Sequence, residues 1–161
     1  MIKTPIRYAG GKSKAVKLIG PMAAQFPTIV SPFMGGGSLE VYWAAQGKNV
    51  IAYDVFDILV NFWNVLLHKR TDFVEALRQI PPTEAEYKRI KEILMCTPQT
   101  QTMLKDWHTD FYKRSTIVPL DDVTLAAYYY FNHNCSYGPG YLGWPSEVYL
   151  NDTKWNMMID K

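Results

Sequence analysis

The feature that most constrains the fold of this chain is a glycine triplet, residues 35–37, between two short apolar runs. One run covers residues 28–32 before the triplet, and the other covers residues 50–53 and ends directly before Asp54. An apolar run that ends in glycines predicts a strand, a tight turn and the start of a helix. We therefore expect a strand, a helix over residues 38–46 and a second strand.

This stretch also has the outline of a site for a nucleotide-like ligand. Glycines let the backbone approach a ligand closely, and a carboxylate after the second strand can accept hydrogen bonds from ribose hydroxyls. A dinucleotide fingerprint needs a third glycine where Glu40 stands, which argues against a pyrophosphate ligand. Phe33 and Asp54 suit a ligand with an adenosine and no phosphates, such as S-adenosylmethionine. A purely structural glycine turn in an ordinary α/β unit is the alternative that these residues leave open.

Basic residues are concentrated at the start of the chain. The five that precede position 40 are Lys3, Arg7, Lys12, Lys14 and Lys17, and no acidic residue lies among them. Such a cluster suits one wall of a groove that contacts phosphates, while a solvated basic face is the equally open alternative. The net charge of +2 is too small to indicate a class of partner.

The composition indicates a globular protein of one domain, or of one domain with a small appendage. Hydrophobic residues make up 48% of the chain and charged residues 20%, so extensive disorder is excluded. No apolar run approaches the roughly 18 residues that a membrane span needs. Cys96 and Cys135 are far apart and the histidines form no ligand pattern, so we expect no disulfide, no metal and a reducing, cytoplasmic setting.

The remainder of the chain is predicted to be mainly helical. A capping box at Thr83 and Glu86 predicts the start of one helix. An N-terminal helix is expected to use Val16, Leu18, Ile19 and Met22 as its apolar positions. Further helices are predicted over residues 56–67, 72–79 and 153–161 and from Asp121 or Asp122 to Asn132, whereas residues 97–115 are ambiguous. The loop over residues 132–145 is rich in Gly, Pro and aromatic residues, and Trp144 within it is expected to lie in the core.

Four segments agree in order and spacing with one known family. They are residues 8–12 (Tyr-Ala-Gly-Gly-Lys), residues 32–38 (Pro-Phe-Met-Gly-Gly-Gly-Ser), Asp54 with Trp63-Asn64 in the following helix, and the loop at residues 131–140. On these segments the chain resembles the N-terminal part of DNA adenine-N6 methyltransferases of the adenine-methylase type. The loop is the looser match, and it lacks the Arg common in that family, so the resemblance implies no DNA target sequence.

The resemblance implies an S-adenosylmethionine site and a loop that contacts DNA. The residues implied to bind the cofactor are Tyr8, Ala9, Gly10, Lys12, Pro32, Phe33, Gly35, Gly37, Asp54 and Val55. The residues implied to contact double-stranded DNA are Asn132, Asn134, Ser136, Tyr137 and Tyr141, with a rigid structural loop as the alternative. Residues 1–56 would then bind the cofactor, residues 57–145 would form a helical target-recognition region, and residues 146–161 would return toward the catalytic half.

The family's catalytic signature, Asp/Asn-Pro-Pro-Tyr/Phe, does not occur in the 161 residues. Pro81-Pro82 is preceded by Ile80 and followed by Thr83, so we interpret it as helix punctuation and assign no catalytic residue. Two strands do not make a stable α/β core. The expected fold class is therefore α/β, an incomplete Rossmann-like methyltransferase half of about two strands, with a mainly helical recognition region and a sheet completed by a partner chain.

The expected function is that of one subunit of a split DNA adenine-N6 methyltransferase. This chain would bind S-adenosylmethionine and recognise double-stranded DNA, and a second polypeptide in a heterodimer would supply the catalytic signature and the remaining strands. Activity is expected of the complex and not of this chain by itself, with no membrane involved. The alternatives are a non-catalytic DNA- or protein-binding module derived from a methyltransferase, and a truncated product with no independent role.

Overall fold

The computed structural model describes residues 4–105, 114–138 and 140–161. Lys3 of the basic cluster, residues 106–113 of the ambiguous segment and Pro139 of the loop lie outside the described residues. The chain divides into two compact units, of which the first runs to Phe56 and the second begins at Asp57. Within the described ranges, none of the helices has the length and apolar character needed to cross a membrane.

The first unit contains the predicted strand, turn, helix and strand. A short helix α1 (Val16–Ile19) continues as a 3₁₀ turn (Gly20–Ala23), and β1 (Thr28–Ser31), α2 (Ser38–Ala45) and β2 (Asn49–Ala52) follow. The two strands are parallel neighbours, with Val30 opposite Ile51 in the register. A parallel pair needs a crossover connection, and α2 provides it by packing against β2.

The two faces of this sheet are exposed to different degrees. Ile29 and Val50, which are register partners, are half-buried, whereas Val30 is 60% exposed and Ile51 is 40% exposed. Successive side chains of a strand point to opposite faces, so the exposed pair shares one face of the sheet. The alternation is consistent with α2 lying on the face of Ile29 and Val50, and it leaves an apolar pair open on the other.

The N-terminal helix is shorter than its apolar pattern predicts, and this corrects two expected core positions. Leu18 and Met22 are exposed, because α1 passes after four residues into a 3₁₀ turn, which changes the period of the buried side. The buried contact is made instead at Gly20, where a Cβ would lie 2.3 Å from the Tyr42 ring. The indole Nε1 of Trp43 donates to the Gly20 carbonyl at 3.0 Å, which fixes α2 against this turn.

The second unit contains six helices in its described residues. They are α3 (Asp57–His68), α4 (Arg70–Arg78), α5 (Glu84–Met95), α6 (Pro98–Lys105), α7 (Asp122–Asn134) and α8 (Asp152–Ile159). The central element is α7, which packs against α3, α4 and α5. Its run from Ala126 to Phe131 is apolar on nearly every side, and this is the pattern of a helix buried all round.

Aromatic rings form the core of the second unit. Phe62 lies within 6 Å, centroid to centroid, of Phe73, Tyr129 and Tyr130. On α8, Trp155 is buried with its ring 5.0 Å from Phe131, and the Tyr130 hydroxyl donates to the Met158 carbonyl at 2.8 Å. The C-terminal helix therefore belongs to the same core as α7.

In the described part of the second unit, the helices α5, α7 and α8 carry side-chain caps at their N-termini. The side chains of Thr83, Asp121 and Asn151 accept hydrogen bonds from backbone amides within the first turns of α5, α7 and α8. Only half of the predicted capping box forms, because the Glu86 carboxylate pairs with Arg89 at 2.6 Å rather than reaching back to Thr83. The α/β class with two strands and a mainly helical remainder is confirmed, whereas completion of the sheet by a partner stays a prediction.

Candidate functional site

The glycine turn after β1 has a conformation that other residues rarely adopt. Gly35 and Gly37 have φ angles of 51° and 68°, in the left-handed region. Gly36 is required for a different reason, since a Cβ there would lie 2.6 Å from the Cβ of Tyr8. The triplet thus allows a sharp reversal into α2 while Tyr8 packs directly on the backbone.

Asp54, directly after β2, holds this turn in place. One carboxylate oxygen accepts from the Gly35 amide at 2.8 Å, and the other accepts from the Phe56 amide at 3.0 Å. A second link between the two strand ends is the hydrogen bond from the Met34 amide to the Tyr53 carbonyl, at 2.9 Å. A carboxylate has about four lone-pair sites, so Asp54 retains acceptor capacity beyond these two bonds.

Tyr8 lies against the turn in a position fixed by its own loop. The Gly11 amide donates to the Tyr8 carbonyl at 3.0 Å, which closes the loop between them. Burial, and after it the negative charge of Asp54, raises the pKa of Tyr8 above its ordinary value. The phenol therefore stays protonated at neutral pH and remains able to donate a hydrogen bond.

These elements enclose a cavity of about 440 Å³ within the first unit. Eight of the ten predicted cofactor-binding residues line it, and they are Tyr8, Ala9, Gly10, Lys12, Phe33, Gly35, Gly37 and Asp54. Pro32 and Val55 do not, and both are exposed. The Phe33 side chain is 86% exposed, so it offers an open aromatic face at the cavity.

The cavity wall also includes residues that are not among the ten predicted to bind the cofactor. They are Gly11, Ser31, Met34, Gly36, Ser38, Leu39, Glu40 and Trp43. Among them only Glu40 is charged, and its side chain is buried. The spacing of the glycine motif contains no signal for Glu40 as a site residue, because that motif specifies only a third glycine at this position.

A second candidate region is the loop after α7, which is closed by an antiparallel bridge between Ser136 and Pro145. The Tyr137 amide donates to the Trp144 carbonyl at 2.7 Å, and the Leu142 amide donates to the side-chain oxygen of Asn132 at 2.8 Å. These bonds give the loop a defined shape that is anchored in the last turn of α7.

The predicted DNA-contacting residues of this loop fall into two groups. The side chains of Asn132, Asn134 and Ser136 are buried, so as placed they support the loop and do not form its surface. The Tyr141 hydroxyl is hydrogen-bonded to Thr100 at 2.6 Å. Burial raises the pKa of Tyr141, which keeps this phenol protonated. The fifth residue, Tyr137, is 82% exposed.

Trp144 is the exposed companion of Tyr137, and its expected place in the core is wrong. It is 78% exposed, and it directly precedes Pro145 of the bridge. The ammonium of Lys91 lies 5.3 Å from the Trp144 ring centroid and donates to the Gly143 carbonyl at 3.1 Å. Burial lowers the pKa of Lys91.

Comparison with known families gives the identity of this arrangement. The family model of D12 class N6 adenine-specific DNA methyltransferases matches residues 8–158. The chain belongs to this family. A search of curated proteins finds no match.

The family match extends over both regions described above. It begins at Tyr8, so it includes the cavity of this methyltransferase chain, and it continues through the loop after α7 to the last turns of α8. Among the described residues, no group of three or more His, Cys, Asp or Glu side chains is arranged to hold a metal ion.

Proposed function

We propose that this chain is the S-adenosylmethionine-binding and DNA-recognition subunit of an adenine-N6 DNA methyltransferase. D12 methyltransferases generally use S-adenosylmethionine as their cofactor. The observation that carries the proposal is the cavity, in which the glycine turn, the Tyr8 ring and the Asp54 carboxylate surround about 440 Å³. That volume lies in the range of small-molecule sites, roughly 300–1,000 Å³.

Each part of the cofactor has a complementary group in the cavity. The free acceptor positions of Asp54 would bind the ribose hydroxyls, as an acid after the second strand does in related nucleotide sites. The exposed Phe33 ring would pack against the ligand, and the glycine backbone would lie along its methionine portion. Lys12, which donates to the Gly10 carbonyl at 3.0 Å, would reach the carboxylate end.

Recognition of DNA is proposed for the outer edge of the loop after α7. Tyr137 and Trp144, which adjoin the two residues of the bridge, present two exposed aromatic rings, and the Lys91 ammonium lies over the Trp144 ring. Enzymes that modify a base within a duplex must extrude it, and aromatic side chains can stack on or between the bases left behind. The role of Asn132, Asn134, Ser136 and Tyr141 would then be indirect, since they would hold the loop in the shape that exposes the two rings.

Methyl transfer is proposed to need a second polypeptide. The Asp/Asn-Pro-Pro-Tyr/Phe signature, whose acceptor groups bind the adenine amine, does not occur among these 161 residues. The exposed pair Val30 and Ile51 gives the two-stranded sheet an apolar face that a partner could cover. Under this proposal a partner brings the catalytic groups and completes the sheet.

The test is a methylation assay on three samples: this chain, a candidate partner that contains the signature, and the two co-expressed. Transfer of a labelled methyl group from S-adenosylmethionine to double-stranded DNA is expected only from the co-expressed pair. Activity of this chain by itself would refute the split arrangement. If S-adenosylmethionine binds neither the chain nor the complex, the non-catalytic module is the correct reading.

A replacement of Trp144 tests the DNA-recognition part separately. Trp144→Ala should weaken binding of a fluorescent duplex by about tenfold, because a stacked aromatic ring contributes about 1–3 kcal/mol. Val148→Ala, another exposed apolar residue of the same unit, is the matched control and should leave the affinity unchanged. Equal affinities of the wild type and both variants would show that this loop does not contact the DNA.

A further inference from the structure

Glu40 is a buried carboxylate in the wall of the cavity, and neither the sequence motifs nor the proposed function gives it a role. Its residue is 8% exposed, and it is the third residue of α2. The Ser31 hydroxyl donates to one of its carboxylate oxygens. In the described part of the chain, no Lys, Arg or His side chain forms an ion pair with it.

A buried carboxylate is rare unless its charge is compensated. The N-terminus of α2 and the Ser31 hydroxyl provide part of that compensation, since helix N-termini favour negative charge. A carboxylate can accept about four hydrogen bonds, and Ser31 donates one of them to Glu40. Glu40 can therefore accept further hydrogen bonds from other groups. The residue lines the cavity, so a ligand there can meet this capacity.

We propose that Glu40 binds the α-ammonium group of the cofactor's methionine portion. This assignment rests on the proposed function, because it takes S-adenosylmethionine as the occupant of the cavity. It makes Glu40 a further binding residue, with Ser31 as the residue that positions its carboxylate.

The charges of cavity and cofactor are complementary under this assignment. The charged residues of the lining are Lys12, Glu40 and Asp54, which give the cavity a net charge of −1. S-Adenosylmethionine carries a sulfonium and an ammonium against a single carboxylate, so its net charge is opposite. Lys12 would bind the cofactor carboxylate and Asp54 the ribose, and Glu40 is the acid that remains for a cation.

Of the two cations, the ammonium suits Glu40 better. An ammonium has N–H donors that can form charge-assisted hydrogen bonds with a carboxylate, and such bonds are about twice as strong as neutral ones. A sulfonium has no hydrogen to donate, and its methyl group must remain accessible to the adenine amine. The chemistry of the two cations therefore favours a specific hydrogen bond to the amino group over a general attraction to the positive sulfur.

The test measures the affinity of three ligands for the whole chain by calorimetry. The ligands are S-adenosylmethionine, S-adenosylhomocysteine, which lacks the sulfonium charge, and a deaminated S-adenosylhomocysteine, which lacks the amino group. Glu40→Gln keeps an oxygen that accepts from Ser31 and removes only the charge. We expect this replacement to lower the affinity for the first two ligands equally, by about tenfold to 100-fold, and to leave the affinity for the third unchanged.

Two further variants complete the design. Ser31→Ala leaves the carboxylate but removes its positioning bond, so it should produce the same pattern with a smaller loss, below about tenfold. Glu75→Gln removes the same charge from an exposed position of α4 and should change no affinity. Thermal unfolding of each variant verifies that the fold is retained.

Several results would overturn the assignment. If Glu40→Gln lowers the affinity for S-adenosylmethionine but not for S-adenosylhomocysteine, the carboxylate interacts with the sulfonium and not with the amino group. If it weakens the deaminated ligand as much as the others, Glu40 only supports the turn, and if it weakens none, Glu40 does not touch the cofactor. Absence of binding by the wild-type chain would instead refute the proposed function, and this assignment with it.

Discussion

The two units of this chain bury their apolar side chains very differently. Among the described residues, the largest fully buried side chains, such as Phe62, Tyr87 and Tyr130, all lie in the second unit. In the first unit, Phe33 and Val55 are among the most exposed apolar residues. Apolar surface that is left open in a folded protein usually marks a site of interaction. The difference indicates that the second unit contains most of the buried core of the described residues, while the first leaves apolar surface open around its cavity.

The helix N-termini show this contrast only in part, because α4 of the second unit also begins without a side-chain cap, after Lys69. In the second unit, Thr83, Asp121 and Asn151 satisfy backbone amides at the starts of their helices. In the first unit, α2 begins after Gly37 with no side-chain cap. Uncapped amides can bind water or a ligand, so α2 gives up local stability at the edge of the cavity.

The largest effect is expected from the core of the second unit. Phe62→Ala should lower the free energy of unfolding by about 3–5 kcal/mol, because it empties the centre of four ring contacts. Phe33→Ala, the same replacement at an exposed position of the first unit, should change it by no more than about 0.5 kcal/mol. Urea denaturation measures both free energies of unfolding. Equal losses in the two variants would show that the units do not differ in how their aromatic side chains contribute to stability.

The next effect concerns ligand binding by the first unit, and the stability of the second unit is not involved. Asp54→Ala removes the acceptor of the Gly35 and Phe56 amides and the proposed ribose contact. The affinity for S-adenosylmethionine should fall by at least about 100-fold, since hydrogen bonds to a charged group contribute about 1.5–3 kcal/mol each. Asp57→Ala, at an exposed carboxylate outside the cavity, is the control that should bind normally. Retained affinity in Asp54→Ala would exclude the ribose contact.

A smaller effect is expected from crowding the glycine turn. Gly36→Ala places a methyl group 2.6 Å from the Tyr8 Cβ, so the first unit should lose about 1–3 kcal/mol of stability through displacement of Tyr8. In Gly140→Ala the nearest atom to the new methyl lies at 3.8 Å, which is an ordinary contact. Amide hydrogen exchange in β1 and β2 reports the difference. Unchanged exchange in Gly36→Ala would show that Tyr8 does not pack on the turn.

The smallest effect depends on pH and concerns the side-chain cap of α7 in the second unit. Hydrogen bonds from the Thr124 amide and hydroxyl lower the pKa of Asp121 below its ordinary value. A carboxyl group whose pKa is lower in the folded state stabilises it above the unfolded pKa, near about 3.9, and loses this effect as the pH falls. Asp121→Ala should therefore cost about 1 kcal/mol at pH 7 and less at pH 3. A cost that does not change between the two pH values would assign the effect to something other than the charged cap.

Local sequence patterns predicted most of the fold and part of the site. The glycine triplet and the apolar runs gave the strand–helix–strand order of the first unit, and cap residues such as Thr83 and Asp121 gave the starts of long helices. These features depend on neighbouring residues, so they are visible in the sequence. Leu18 was misplaced because its helix changes type after one turn, and Trp144 because an apolar side chain in a loop beside a bridge can still be exposed.

The cavity wall shows why the rest of the site was not predicted. Ser31 and Glu40 come from a strand and a helix, and only the turn between them brings the hydroxyl to the carboxylate. Likewise, the resemblance of its loop implied a DNA contact for Asn132, yet its side chain is buried and accepts from the backbone amide of Leu142. Both cases depend on contacts across a turn, which residue type and spacing do not encode.

A nuclear magnetic resonance titration of the chain with S-adenosylmethionine would show, residue by residue, whether the cofactor binds in the cavity of the first unit. The amide signals of Gly35, Gly37 and Phe56 are expected to shift with a single saturating isotherm, while those of Tyr87 and Ile90 in the core of the second unit stay in place. Shifts confined to the second unit, or none at saturating cofactor, would contradict it.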